Sequence, residues 1–210
     1  RDRSIEDTVI TSVATDAHRL AMATLGLNEG VAEQITGIVP RKSINEIGKL
    51  VGDSSENIIL QLGSSSINVD ISGTTFSSKL IEGKFPDYEQ VIPSGDSSTL
   101  SINRKSLSES LSRVSVLSSE KFRGIRIVTS DNLINISANN PEKEQAEESV
   151  SCSYEGESMD IAFNVNYLQE ILSSIDDNDV EIHFFGSDKS CLITSPGTDS
   201  FKYVVMPLLI

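Results

Sequence analysis

The 210-residue sequence predicts an α+β fold built from repeated modules, each placing helices on one face of antiparallel sheet. Two observations predict it. Apolar residues recur at period two in most segments and at about 3.6 in three of them, which marks strands and helices packed as layers. The chain also matches itself when shifted by about 124 residues, a distance of domain size. Asp7-Thr8-Val9-Ile10-Thr11-Ser12-Val13-Ala14-Thr15-Asp16 runs parallel to Asp131-Asn132-Leu133-Ile134-Asn135-Ile136-Ser137-Ala138-Asn139-Asn140, and Ile44-Asn45-Glu46-Ile47 answers Leu168-Gln169-Glu170-Ile171. Residues 100–124 have no counterpart ahead of Arg1, so the chain is expected to begin inside a module and to be the C-terminal piece of something longer. An incomplete unit over 1–92, lacking its first strand and helix, is expected to precede a complete one over 93–210.

Each element has a local reason. Residues 9–13 and 21–25 alternate as strands joined through Thr15-Asp16-Ala17-His18-Arg19, and 35–39 reads as another strand. Pro40 opens a helix over 41–51, where a missing N–H costs nothing. Ile44, Ile47, Leu50 and Val51 share a face of it, and Gly52 stops it. Residues 57–62, 67–71 and 75–81 form a meander with turns at Gly63-Ser64-Ser65 and Ser72-Gly73. Pro86 and Pro93 bracket the junction between modules. A strand over 99–102 leads to a helix over 103–118, capped by Asn103 or Ser101 and striped by Leu107, Leu111, Val114 and Leu117. Strands follow at 124–129, 132–138, 145–154 and 158–163. Asn164 caps a further helix over 164–175, and a closing meander occupies 180–185, 189–194 and 199–206.

Lys plus Arg of 17 against Asp plus Glu of 31 gives a net charge of −14, which argues against ordinary binding to nucleic acid by phosphate neutralisation. Any role on DNA requires segregated charge. Cys152 and Cys191 lie in strand-like stretches without metal-type spacing and read as free thiols of a reducing compartment. No apolar run approaches the ~18 residues of a membrane span, so a soluble chain is expected.

Catalytic constellations are scarce. His18 and His183 are the two histidines, and His183 alternates within a strand toward one sheet face. Asp176, Asp177 and Asp179 follow a helix end but lack the glycine turn and closing glutamate of a calcium loop, so they read as a solvated turn. Neither metal site nor cofactor is expected. The acidic run 142–148 is a solvated strand face unless an opposite charge covers it. Three segments put apolar groups where the chain turns or ends: 15–20, 84–88 and 203–210. Ends are usually polar, so Met206-Pro207-Leu208-Leu209-Ile210 is unusual. An adaptable methionine beside proline and leucine suits a peptide-binding groove, the alternative being a tail tucked into its own core. A catalytic cluster of Asp16, His18 and Arg19 is a further reading, but no nucleophile accompanies it.

Seven stretches carry a resemblance: Ala14-Thr15-Asp16-Ala17-His18-Arg19-Leu20-Ala21, Val39-Pro40-Arg41-Lys42, Leu80-Ile81-Glu82-Gly83-Lys84-Phe85-Pro86-Asp87-Tyr88, Ser119-Glu120-Lys121-Phe122-Arg123-Gly124, Ala138-Asn139-Asn140-Pro141-Glu142, Phe163-Asn164-Val165 and Tyr203-Val204-Val205-Met206-Pro207. Through them the chain resembles the bacterial DNA polymerase III beta subunits, the sliding clamps. The resemblance implies a DNA clamp fold, with 1–92 as the second clamp domain, 93–210 as the third, and the first absent. Such clamps are processivity factors of the cytoplasm: head-to-tail homodimers that close around double-stranded DNA with helices lining the hole. They do no chemistry themselves, although they belong to a nucleotidyltransferase holoenzyme. By resemblance, Arg41, Lys42, Lys49, Arg104, Lys105 and Arg113 face DNA. Val116 and Leu117 sit at the dimer interface, with Glu142, Glu144 and Glu148 opposite basic residues. The family's groove receives short linear motifs from the polymerase alpha subunit, the clamp loader, repair polymerases and mismatch-repair factors. Its wall here would be Thr15, Ala17, His18, Arg19, Leu20, Pro86, Val91, Asn164, Tyr167, Val204, Val205, Met206, Pro207 and Leu208. Ala17 stands where the family usually has glycine, and Gln90 where arginine is common. Without a first domain the piece is expected to be monomeric. The competing expectation is a peptide-binding scaffold that never encloses DNA.

Overall fold

A computed structural model describes residues 9–27, 34–52, 57–119, 121 and 123–208. Contacts divide the chain into two units, one of Arg1–Asn28 with Tyr88–Ile210 and the other of Glu29–Asp87. This grouping follows spatial contact, whereas a division after residue 92 follows the internal repeat.

The smaller unit holds helix α1 (Arg41–Val51) and a three-stranded antiparallel sheet of β3 (Ile58–Leu62), β4 (Ser66–Ile71) and β5 (Thr74–Lys79), in that order. Central strand β4 alternates cleanly, burying Ile67, Val69 and Ile71 against Val39, Ile47, Val51, Leu62 and Leu80. Pro40 occupies the position before α1 at φ −58°, and Gly52 ends the helix at φ 50°, a left-handed conformation that glycine adopts without a Cβ penalty. Of the apolar face expected on α1, Ile47 and Val51 pack inward, while Ile44 and Leu50 are exposed. The strand expected over 35–39 reduces to a single bridge between Ile38 and Ile81. Gly37 lies so close to Leu80 that a Cβ there would come within 2.9 Å of it, so packing rather than a ladder holds this segment.

The larger unit contains two antiparallel sheets with helices between their strands. Its first strands are β1 (Val9–Thr15), β2 (Arg19–Gly26) and β6 (Ser98–Asn103), followed by α2 (Arg104–Ser115). Next come β7 (Gly124–Ser130), β8 (Leu133–Asn139), β9 (Gln145–Ser151), β10 (Ser153–Tyr154) and β11 (Asp160–Asn164). Helix α3 (Val165–Ser173) precedes β12 (Asp179–Phe184), β13 (Cys191–Thr194) and β14 (Phe201–Val205). Seven strands pair in the order β1-β2-β14-β13-β12-β6-β10 and four as β11-β7-β8-β9. Helix α2 packs on β8 and β9 of one sheet, on β6 and β12 of the other, and on α3. Leu107, Leu111 and Val114 are buried there with Leu168, Ile171 and Leu172. Asn103 and Asn164 cap their helices, accepting from the backbone N–H of Ser106 at 3.1 Å and of Asn166 at 3.0 Å.

Two pairings cross boundaries that the sequence suggests. The single strand expected over 145–154 divides at Cys152, with β9 in the four-stranded sheet and β10 on β6 of the other. Alternation continues through the break, and alternation carries no information about which neighbour a strand joins. The β1–β2 hairpin, although it comes from the first copy of the repeat, adds to the sheet of the second through β2 and β14, with Leu20 opposite Val204 and Arg19 opposite Val205.

Candidate functional site

The β1–β2 turn is fixed by its own short polar side chains. Thr15 Oγ1 donates to the Arg19 carbonyl at 2.8 Å, and Asp16 Oδ1 accepts from the backbone N–H of His18 at 3.1 Å and of Arg19 at 3.0 Å. The path this enforces puts Ala17 at φ 71°, left-handed for a residue with a Cβ. Arg19 leaves the turn with its guanidinium Nε donating to Asp16 Oδ2 at 3.0 Å, its Nη1 2.7 Å from Glu170 Oε2 of α3, and its Cζ 4.4 Å from the Tyr167 ring centroid. The His18 ring stacks on Tyr167 with centroids 6.3 Å apart. Burial works to raise the Asp16 pKa, but hydrogen bonds from His18 and Arg19 outweigh it and hold the carboxyl below its ordinary value. Arg19 is correspondingly raised: burial works against its charge, and its bonds to Asp16 and Glu170 prevail.

The chain's end completes the cluster. After β14, the Met206 N–H donates to the His18 carbonyl at 2.9 Å and the Leu208 N–H to the Ala162 carbonyl of β11 at 2.8 Å. The tail therefore spans from the turn to the second sheet with its backbone paired, and Met206 remains 39 % exposed. Here the side chains of His18, Arg19 and Tyr167 converge beside the Met206 backbone. Thr15, Ala17 and His18 are exposed; Arg19, Asn164, Tyr167, Val91, Pro207 and Leu208 are half-buried. Leu20, Val204 and Val205 are buried at 2 %, 0 % and 0 % exposure and support the surface from beneath. Exposed Pro86 belongs to the smaller unit, and Leu209 and Ile210 lie outside the described residues. Within the larger unit, a shallow depression beside Cys152 and Asp179 shares no residue with this cluster.

The basic residues expected to face DNA have varied surroundings. Arg41 and Lys42 are exposed in the first turn of α1, and Lys49 meets Glu46 at 2.9 Å. Arg104 donates to the Asp177 carbonyl at 2.7 Å and the Leu172 carbonyl at 3.2 Å, tying the end of α3 to the start of α2. Lys105 stands 3.8 Å from Glu109. Arg113 grips Glu148 of β9 with two bonds of 2.5 and 2.8 Å, so Glu148 already has a cation within its own chain. Val116 is 77 % exposed beyond α2, and Leu117 is half-buried. Glu142 and Glu144 sit on an exposed turn where Asn140 binds Glu144. His183 has both ring nitrogens within 3.0 Å of hydroxyls, those of Thr99 and Thr194. Among the described residues no group of three metal-ligating side chains occurs, and no helix is long and apolar enough to cross a membrane.

Sequence reasoning left Asp16 and Glu170 off the groove wall. Asp16 had a local signal, a carboxylate two and three residues ahead of the turn amides it binds. Glu170 had none, because its partner is distant in sequence.

Family comparison adds the decisive observation. Residues 3–87 match the model of the DNA polymerase III beta subunit central domain, and residues 89–209 match that of its C-terminal domain. The chain belongs to the DNA polymerase III beta subunit family. It is 40 % identical over 204 residues to the beta sliding clamp of Vibrio cholerae, covering 97 % of this chain and 56 % of that protein. With the Escherichia coli beta sliding clamp it shares 36 % over 199 residues, or 95 % of this chain and 54 % of that one. The fold superposes on a Pseudomonas aeruginosa sliding clamp bound to griselimycin with a TM-score of 0.94 at 40 % identity, over 98 % of this chain and 56 % of the other. A Caulobacter crescentus pol III beta gives 0.91 at 31 %, over 99 % and 55 %. The chain thus spans about half the length of the relatives it matches.

Proposed function

We propose that this chain supplies the second (1–92) and third (93–210) domains of a DNA polymerase processivity factor, which tethers its partners to duplex DNA by enclosure in a ring. The observation that carries this reading is the seating of exposed Met206 against the His18 turn, beside Arg19 and Tyr167, in a chain of the beta subunit family. A methionine can repack around different short motifs, so one site serves the polymerase alpha subunit, the clamp loader, repair polymerases and mismatch-repair factors, each weakly. No step of chemistry is assigned to the chain, and its place is the cytoplasm. Val116, Leu117, Glu142 and Glu144 supply the dimer surface of the assembled ring. Arg41, Lys42 and Lys105 offer the DNA a weak, sequence-blind attraction that leaves the ring free to slide.

A peptide-binding scaffold that never encloses DNA is the second reading, favoured by the commitment of Arg104 to α3 carbonyls and of Arg113 to Glu148. Charge reversal at Arg41 and Lys42 in the ring-forming protein separates the two: it abolishes salt-sensitive loading onto DNA for a clamp and changes nothing for a scaffold. The groove is tested with fluorescent griselimycin, the ligand of the similar Pseudomonas aeruginosa clamp. Saturable binding is expected, weakened at least about tenfold by Met206→Lys, as for a central contact of an interface. Equal affinity of both proteins would remove the groove from the account.

A further inference from the structure

Arg19 is the cation of the candidate groove, and two carboxylates already hold it. Asp16 binds its Nε at 3.0 Å and Glu170 its Nη1 at 2.7 Å, while its Cζ lies over the Tyr167 ring. The two acids differ in what else they do. Asp16 Oδ1 accepts two backbone N–H groups of the turn, so its position follows from the turn itself. Glu170 reaches the guanidinium from an exposed face of α3, with its side chain 64 % accessible, and supports no turn. One cation between two anions leaves the trio with a net negative charge. An acidic side chain brought to Arg19 therefore meets a guanidinium whose Nε and Nη1 are each already bound to a carboxylate, and a field of its own sign.

We propose that Glu170 sets the charge preference of the groove, making it discriminate against ligands with a carboxylate at the Arg19 end and favour uncharged, apolar ones. This rests on the peptide-binding reading and adds a residue and a specificity to it. Repulsion against the wrong ligand is a recognised half of specificity, and an exposed carboxylate is a low-cost way to supply it.

The experiment uses the whole chain, wild type and Glu170→Gln, with fluorescent griselimycin as reporter. Displacement is measured for paired hexapeptides of leucine, glutamine and phenylalanine that differ only by Asp for Asn at one position, scanned along the peptide. Glu170→Gln is expected to raise the Asp-to-Asn affinity ratio about two- to five-fold at one position, the scale of an exposed charge contact. The gain disappears near 1 M salt, where the screening length falls to about 3 Å. Glu170→Asp keeps the wild-type ratio. An equal loss for both peptides would show that Glu170 only steadies Arg19, and an unchanged ratio at every position would show no role at all; either overturns the proposal. So does griselimycin binding that no hexapeptide displaces. Failure of griselimycin itself to bind the wild type would instead overturn the groove reading.

Discussion

Ala17 shows how a single residue can be legible in type and hidden in consequence. The stretch Thr15-Asp16-Ala17-His18-Arg19 announces a turn, because short polar side chains bind their own backbone, and the structure builds it from Thr15 and Asp16. The left-handed backbone at Ala17, φ 71°, emerges only once Asp16 has drawn both following amides onto one oxygen. A Cβ in that region costs roughly 1–2 kcal/mol, partly offset by the greater freedom glycine has when unfolded. Ala17→Gly is accordingly expected to raise the unfolding free energy by about 0.5–1 kcal/mol in urea titration. A loss of stability would mean that the turn gains more from the methyl group than its geometry implies. Glu170 is the opposite case, since an exposed helix glutamate carries no mark of the arginine it meets.

At the scale of elements, helix α2 was readable from its stripe and cap, both of which act within a few residues: Asn103 holds the Ser106 amide, and Leu107, Leu111 and Val114 are buried. Its polar face was not. Arg113, expected to face DNA, and Glu148, expected to meet another subunit, bind each other, because β9 runs against α2 in the folded unit. The Arg113 guanidinium, aided by the Ser110 hydroxyl, holds the Glu148 carboxyl down at about 2 from an ordinary 4.5. A carboxylate lowered on folding contributes stability that is fully present above its unfolded pKa and is lost as pH falls through the folded one. The Arg113–Glu148 contribution is thus complete above pH 4.5 and fades toward pH 2. Carboxyl NMR is expected to show Glu148 titrating near 2 in the wild type and moving back toward 4.5 in Arg113→Gln. A Glu148 that titrates identically in both proteins would show the pair to be absent in solution.

For the whole molecule, the consequential feature is one sheet that joins the two copies of the repeat. Strand β2 pairs with β14, and Leu20 and Val204 lie opposite each other in the core, at 2 % and 0 % exposure. Leu20→Ala is expected to cost about 2–5 kcal/mol, the range for a buried leucine, read from denaturant unfolding of the larger unit. A cost below about 1 kcal/mol would mean that the hairpin is only loosely docked. The sequence alone determined the kind of most elements, the strand expected over 35–39 excepted, together with the repeat and the α+β class, because periodicity, caps and turn residues act within a few positions of themselves. It determined the family too, through stretches spread along nearly the whole chain. Only the tertiary structure decided partners: β2 with β14 across the repeat, β9 and β10 in different sheets, Arg19 with Glu170, and Arg113 with Glu148. Each of these contacts joins residues far apart in the chain. Strand alternation and a surface charge look the same whichever neighbour they meet, so the choice falls to the packing of the complete core.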